Sequence, residues 1–315
     1  MSVNDSAIVA RATPVLAAGT VWGSVGVLAF SLTFPLSRMA LPAFGPVTVG
    51  LGRAAVAAAL GAMCIVVARA PRPTRAQAGR LALVALGVVV GFPICSSIAL
   101  QDTTSAHGAV LIGLLPAATA VAAALRGGER PRWPFWAACG FGMVTVLVFA
   151  AVQGAGQVRA ADLWLLAAVL FAALGYAEGG VLARELGGWQ VISWALLIAL
   201  PVIMPATVIG LIAHPPVSSS PSAWLGLAYV SVVSMFVGFY AWYRGLAEGG
   251  IAKISQLQLT QPVLTLMWSA LLLSEHISPA TAAAAILVIG AVAVTQRTRA
   301  ASPRFTPGES PVHTP

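Results

Sequence analysis

The chain has 315 residues, of which 59% are apolar and 8% charged, with a mean hydropathy of +0.91 and a formal net charge of +8. A soluble domain carries about 25% charged residues, and so few charges cannot cover the surface of a soluble fold of this length. The composition excludes a soluble enzyme, a disordered chain and a fibrous protein, and it points to an all-α polytopic membrane protein.

A bilayer core about 30 Å thick is spanned by about 20 apolar residues in a helix. Residues 1–13 read as a short cytoplasmic N-terminal segment. Ten apolar runs follow, at 14–37, 45–68, 81–101, 105–125, 134–153, 162–183, 190–213, 223–244, 251–273 and 279–296. The breaks between them carry Pro, Gly and Arg, as in Arg69-Ala-Pro-Arg-Pro-Thr-Arg75. The first run is too long for a cleaved signal peptide and continues into Phe34-Pro-Leu-Ser-Arg38 without a cleavage site. Residues 298–315 read as a disordered cytoplasmic tail.

Cations set the expected orientation. With the N-terminus inside, fourteen Lys and Arg residues fall on cytoplasmic segments and two, Arg38 and Arg159, on the outer side. Both termini are then cytoplasmic in a multi-pass protein of the cell inner (plasma) membrane. The same asymmetry explains the basic charge better than nucleic-acid binding does, because the cations form no stripe with interleaved aromatics. Cys64, Cys95 and Cys139 lie inside apolar runs and form no disulfide framework. The four histidines have no metal-ligand spacing. Most tryptophans fall near run ends, at the level of the headgroups.

Shifting the chain on itself by 146 residues superposes Pro116 on Pro262, Thr119 on Thr265, Glu129 on Glu275, Asp102 on Glu248, Phe30 on Tyr176 and Arg38 on Arg184. Each half, 14–153 and 162–297, then holds five helices. Five is odd, so the second half enters the membrane from the opposite side. The expected fold is ten transmembrane helices in two inverted five-helix repeats, an arrangement suited to alternating access.

The stretch Ser105-Ala-His-Gly-Ala-Val-Leu-Ile-Gly-Leu-Leu-Pro116, followed by Gly128-Glu129-Arg130-Pro131, resembles the end of an EamA-type repeat. Its counterpart is Ile254-Ser-Gln-Leu-Gln-Leu-Thr-Gln-Pro262, followed by Ser274-Glu275-His276, where Ser274 stands in place of the usual glycine. Gly50-Leu-Gly-Arg53 resembles the arginine-bearing second helix of the same family, the drug/metabolite transporter superfamily. The resemblance covers about residues 14–297. It implies a ten-helix carrier with a central cavity, both termini inside, and export of amino acids or other small metabolites.

Two charges lie well inside the runs, Arg53 and Glu178. A charge there costs roughly 2.5–3.5 kcal/mol on insertion scales and is a functional-site candidate by default. Arg53 is expected to be a structural or gating charge, or to snorkel outward. Glu178, in Tyr176-Ala-Glu-Gly-Gly180, is the candidate for charge coupling, with an arginine pair as the alternative. Gln258, Gln261, Thr265 and Trp268 recur at steps of 3, 4 and 3 and so share a helix face. They are expected to bind solute. Pro262 is expected to interrupt that helix and free the carbonyl of residue 258. Tyr176, Tyr240, Trp22, Phe30 and His107 are further cavity candidates, with His107 expected to be solvated near the outer surface. Glu129 and Glu275 are expected to cap the fifth and tenth helices.

No P-loop, HExxH or GxSxG motif is present, so no enzyme activity, cofactor or metal is expected. The expected function is secondary transport of a small metabolite, most simply an amino acid or related compound moving outward. A multidrug or organic-cation exporter is the alternative within transport, and a membrane-embedded scaffold the alternative outside it. The expected partners are a small-molecule solute and the lipid bilayer, not nucleic acid; a homodimer stays open.

Overall fold

The computed structural model describes residues 18–126, 132–153, 158–216, 220–250 and 254–300. The N-terminal segment, Glu129 and the last fifteen residues of the tail lie outside this set. Every regular element among the described residues is helical.

The first apolar stretch, Ala18–Val67, runs for 50 residues. As one straight helix it would be about 75 Å long, more than twice the bilayer core of about 30 Å. It breaks at Gly45, whose φ of 69° and ψ of 168° lie in a region that favours glycine. We call residues 18–44 α1 and 46–67 α2. The following helical stretches are α3 (Arg75–Asp102), α4 (Ser105–Leu125), α5 (Trp133–Gln153), α6 (Ala160–Leu186), α7 (Gly188–Ala213) and α8 (Pro221–Gly249). Residues 254–273 form α9, a 3-10 turn Ser255–Thr260 leading into the α-helix Gln261–Leu273, and α10 is Pro279–Ala300.

Seven of these stretches are long and apolar enough to cross a membrane, and Leu257–Leu273 and Pro279–Thr295 are shorter apolar helices. Ten separate runs are expected; the described helices instead give seven long apolar stretches and two shorter ones. The first two runs join through Gly45 into one stretch, and the apolar parts of the ninth and tenth, Leu257–Leu273 and Pro279–Thr295, are the shorter ones. The multi-pass membrane architecture follows from either grouping. Val66, Val67, Leu125, Trp133, Ile212 and Leu271 are all exposed, as side chains facing lipid tails would be.

The offset of 146 residues reappears in local structure. Thr74 opens α3, its side chain accepting from the Gln77 N–H at 3.3 Å; Ser220 opens α8, its side chain accepting from the Ala223 N–H at 3.2 Å. Each helix then contains a π-helical stretch at a matching place, Ala85–Gly91 in α3 and Tyr229–Gly238 in α8. Such long π stretches are rare and tend to mark functional regions. Packing has the same symmetry. Helix α2 lies on α7, α4 on α9 and α5 on α10, while α3 lies on α6 as α8 lies on α1.

Small residues allow these close approaches. A Cβ on Gly245 of α8 would sit 2.6 Å from the Gly23 nitrogen of α1, and one on Gly87 of α3 would sit 2.5 Å from the Phe171 oxygen of α6. No side chain larger than hydrogen fits either crossing.

Candidate functional site

The helices leave a narrow central cavity of about 30 Å³. Helix α1 contributes Phe30, Thr33 and Phe34, α2 contributes Arg53, and α3 contributes Phe92. Ala109, Ile112 and Leu115 come from α4 and Tyr176 from α6. The wall is completed by Ser234, Met235 and Phe239 of α8 and by Gln258, Gln261, Pro262 and Thr265 of α9. Phe30 lies eight residues along α1 from both Trp22 and Arg38, about 12 Å each way at 1.5 Å per residue. The cavity thus sits between two polar end layers.

The cavity wall is mostly apolar, yet several of its polar atoms are buried without partners. Both amide atoms of Gln258, the Oε1 of Gln261, and the Nε and Nη1 of Arg53 make no hydrogen bond. Each unpaired neutral group costs about 1–3 kcal/mol, and a charged one costs more. The Tyr176 hydroxyl lies beside the Gln258 amide without hydrogen-bond geometry. Thr33 and Ser234 hydroxyls bond to each other at 2.8 Å. Thr265 donates to the Ser31 carbonyl at 2.9 Å.

The end layer where α1 begins holds two charge clusters. Arg80 of α3 pairs with Glu178 and, at 2.8 Å, with Glu185, both on α6. Gln77 also donates to Glu185, at 3.3 Å. Nearby, Arg244 of α8 pairs with Glu248 at 2.7 Å, donates to the Tyr240 hydroxyl at 2.9 Å, and lies 4.5 Å over the Trp22 ring.

The opposite end layer links other helices. His107 of α4 pairs with Asp162 of α6 at 2.5 Å and stacks on Phe149. Asp162 also accepts from the Arg159 N–H at 2.8 Å, capping α6. The Glu275 carboxylate accepts from the Ser105 and Ala106 N–H groups at 3.0 and 2.8 Å, capping α4. Arg38 donates to the Leu100 carbonyl at 2.6 Å, near the end of α3.

Measured against the sequence expectations, the cavity gathers Gln258, Gln261, Thr265, Tyr176 and Phe30. Trp268, Trp22, Tyr240 and Glu178 are not in its lining. Trp268 instead donates from its indole to the Ser31 hydroxyl at 3.1 Å, a contact that fixes α9 to α1. Trp22 and Tyr240 sit 5.3 Å apart in the Arg244 cluster. Glu178 takes the arginine pair named as its alternative. Arg53 does not snorkel, since it is 2% exposed and faces the cavity. His107 is not a solvated imidazole; its ring Nε2 lies within hydrogen-bond distance of the Asp162 carboxylate and its ring stacks on Phe149.

Two expectations need correction in detail. Pro262 does not interrupt a helix; it sits in the first turn of Gln261–Leu273, where its missing N–H costs nothing. The carbonyl of Gln258 is not free either, because the 3-10 turn before the proline gives it the Gln261 N–H. Glu275 caps α4 rather than its own helix.

Ser234, Met235 and Phe239 in α8, and Phe92 in α3, also line the cavity. No sequence pattern marks them; they lie in or next to the π stretches Tyr229–Gly238 and Ala85–Gly91.

The chain matches the EamA-like transporter family twice, over residues 17–151 and 159–297. It is 44% identical over 287 residues to an uncharacterized transporter, YdeK, of Bacillus subtilis (strain 168), covering 89% of this chain and 97% of the relative. A solved crystal structure superposes with a TM-score of 0.62 at 18% identity, over 88% of this chain and 96% of that one. The likeness to that structure concerns the fold.

Proposed function

The chain belongs to the EamA-like transporter family, and on that premise we propose a secondary transporter that moves an amino acid or related metabolite outward across the inner membrane. The observation that carries this reading is the central cavity, apolar in its walls but holding polar groups with no partner inside the protein. A folded chain gains nothing from unsatisfied amides in an apolar pocket, whereas a solute that fills it can satisfy them.

In the proposed topology α1 to α10 each cross the membrane once, with both termini in the cytoplasm. The two family matches and the repeated cap, π stretch and packing pattern support two five-helix units. An odd number of crossings per unit makes them inverted, and inverted units exchange conformations to open the site alternately.

The end layers then act as gates. Arg80–Glu178 joins one unit to the other at the cytoplasmic end. His107–Asp162 and the Glu275 cap of α4 do so at the outer end. Each set parts when its side opens. A Glu178 carboxylate released from Arg80 is the place where a coupling proton can be taken up. Because Glu178 is paired and lies outside the cavity lining, no residue of the cavity favours the organic-cation alternative.

Uptake of a labelled amino-acid mixture into liposomes containing the purified protein tests this function. Saturable uptake above empty liposomes, changed by an imposed pH gradient, is the expected result. Uptake equal to that of empty liposomes contradicts it.

A further inference from the structure

Building on the carrier reading, we propose that Arg53 is the anion subsite of the central cavity and that the solute is a small amphipathic molecule bearing one carboxylate. Among the described residues three charged side chains are buried: Arg53, Asp162 and Glu178. The two carboxylates each have a side-chain partner: the His107 ring for Asp162 and the Arg80 guanidinium for Glu178. Arg53 has none, and its Nε and Nη1 are buried without a hydrogen bond. A guanidinium removed from water this way is strongly disfavoured unless something answers its charge.

The position of Arg53 names what that is. It lines the cavity, and among the described lining residues no side chain is acidic. A solute of net charge −1 brings the enclosed charge to zero. A cation would place two positive charges in one low-dielectric space, where repulsion is strengthened. The planar guanidinium offers parallel N–H donors that match the two oxygens of a carboxylate.

The remaining wall describes the rest of the solute. Phe30, Phe34, Phe92 and Phe239 line the same space and suit an apolar body. The unsatisfied amides of Gln258 and Gln261 suit a neutral polar substituent, and their oxygens can also receive an ammonium. An amino acid fits through its carboxylate with its ammonium received by these amide oxygens, while a carboxylate without an amine is the solute that brings the enclosed charge to zero.

The test uses three probes that share one body and differ in the head group: 3-phenylpropionate, 3-phenylpropanamide and 3-phenylpropylamine. Their binding to the full-length protein in detergent is read as thermal stabilisation across a concentration series. The account predicts that the carboxylate stabilises and that the amide and amine are at least tenfold weaker. Arg53→Gln, checked for a single monodisperse species, should lose the carboxylate effect at least tenfold. Arg53→Lys, which keeps the charge without the fork, should lose less. Equal binding of the amine or amide, no stabilisation by the carboxylate, or unchanged binding in Arg53→Gln overturns the proposal. The head-group comparison needs no variant, so a misfolded Arg53→Gln does not shield it. Carboxylate binding through Arg53 without transport into liposomes would leave the subsite standing and refute the carrier. Transport that ignores Arg53 would do the reverse.

Discussion

Phe30 of α1 and Tyr176 of α6, separated by 146 residues in the chain, stack in the cavity wall with ring centroids 6.2 Å apart and planes inclined by 26°. Ile112 and Leu115 line the cavity beside their counterparts Gln258 and Gln261, which extends the relation. The two faces are alike in place and different in chemistry, apolar from α4 and polar from α9.

That difference predicts a trade between stability and activity at Gln258. Its amide is buried and unpaired, a state that costs about 1–3 kcal/mol. Gln258→Leu should raise the stability of the solute-free protein by about 1 kcal/mol while lowering solute uptake. Thermal unfolding and liposome uptake on the same preparation check this. A variant that loses both, or keeps full uptake, speaks against a solute-binding amide.

Ser274 occupies the left-handed region, with φ 53° and ψ 30°, where the C-terminus of α9 turns. A residue with a Cβ pays roughly 1–2 kcal/mol there, which gives the glycine of the repeat pattern its reason. Ser274→Gly should stabilise the protein by about 1 kcal/mol, seen as a higher unfolding midpoint. An unchanged or lowered midpoint contradicts this.

Glu275 satisfies two N–H groups at the start of α4 from another part of the chain. Glu275→Ala should cost about 1–2 kcal/mol, the size of a lost charged cap. Glu275→Gln should retain part of it. A midpoint that does not move in the alanine variant would show that the cap carries no stability.

Arg80 answers the buried charge of Glu178, itself 3% exposed. Removing one partner of a fully buried pair costs about 3–5 kcal/mol. Arg80 is about a third exposed, so Arg80→Leu should cost about 2 kcal/mol. The double variant Arg80→Leu/Glu178→Leu should recover part of this loss, because no charge is left buried. A double variant less stable than the single one would remove the pair from the account.

Much of this was legible in the sequence because it depends on composition and period. The apolar runs, the 146-residue offset and the buried charges at Arg53 and Glu178 all follow from local pattern. Partners did not follow, because partnership is tertiary. Arg80 lies 98 residues from Glu178 and reads locally as a cytoplasmic cation. The stripe on α9 was extended too far along the helix axis. Gln261, Thr265 and Trp268 share one face of the helix Gln261–Leu273 at steps of 4 and 3. Trp268 lies about 10 Å beyond Gln261 at 1.5 Å per residue. Gln258, Gln261 and Thr265 reach the cavity, while Trp268, further along, meets Ser31. The chain itself could not reveal that Arg53 would be left unpaired, since that requires knowing which helices surround it.

Trans-stimulation is the sharpest test of a cavity that faces each side of the membrane in turn. Liposomes containing the protein are preloaded with an unlabelled solute that the protein takes up, and entry of the labelled form is timed. An alternating site returns faster when loaded than when empty, so preloading should speed labelled entry, and Gln258→Ala should abolish the effect. Labelled entry that is indifferent to preloading and to residue 258 would contradict an alternating cavity.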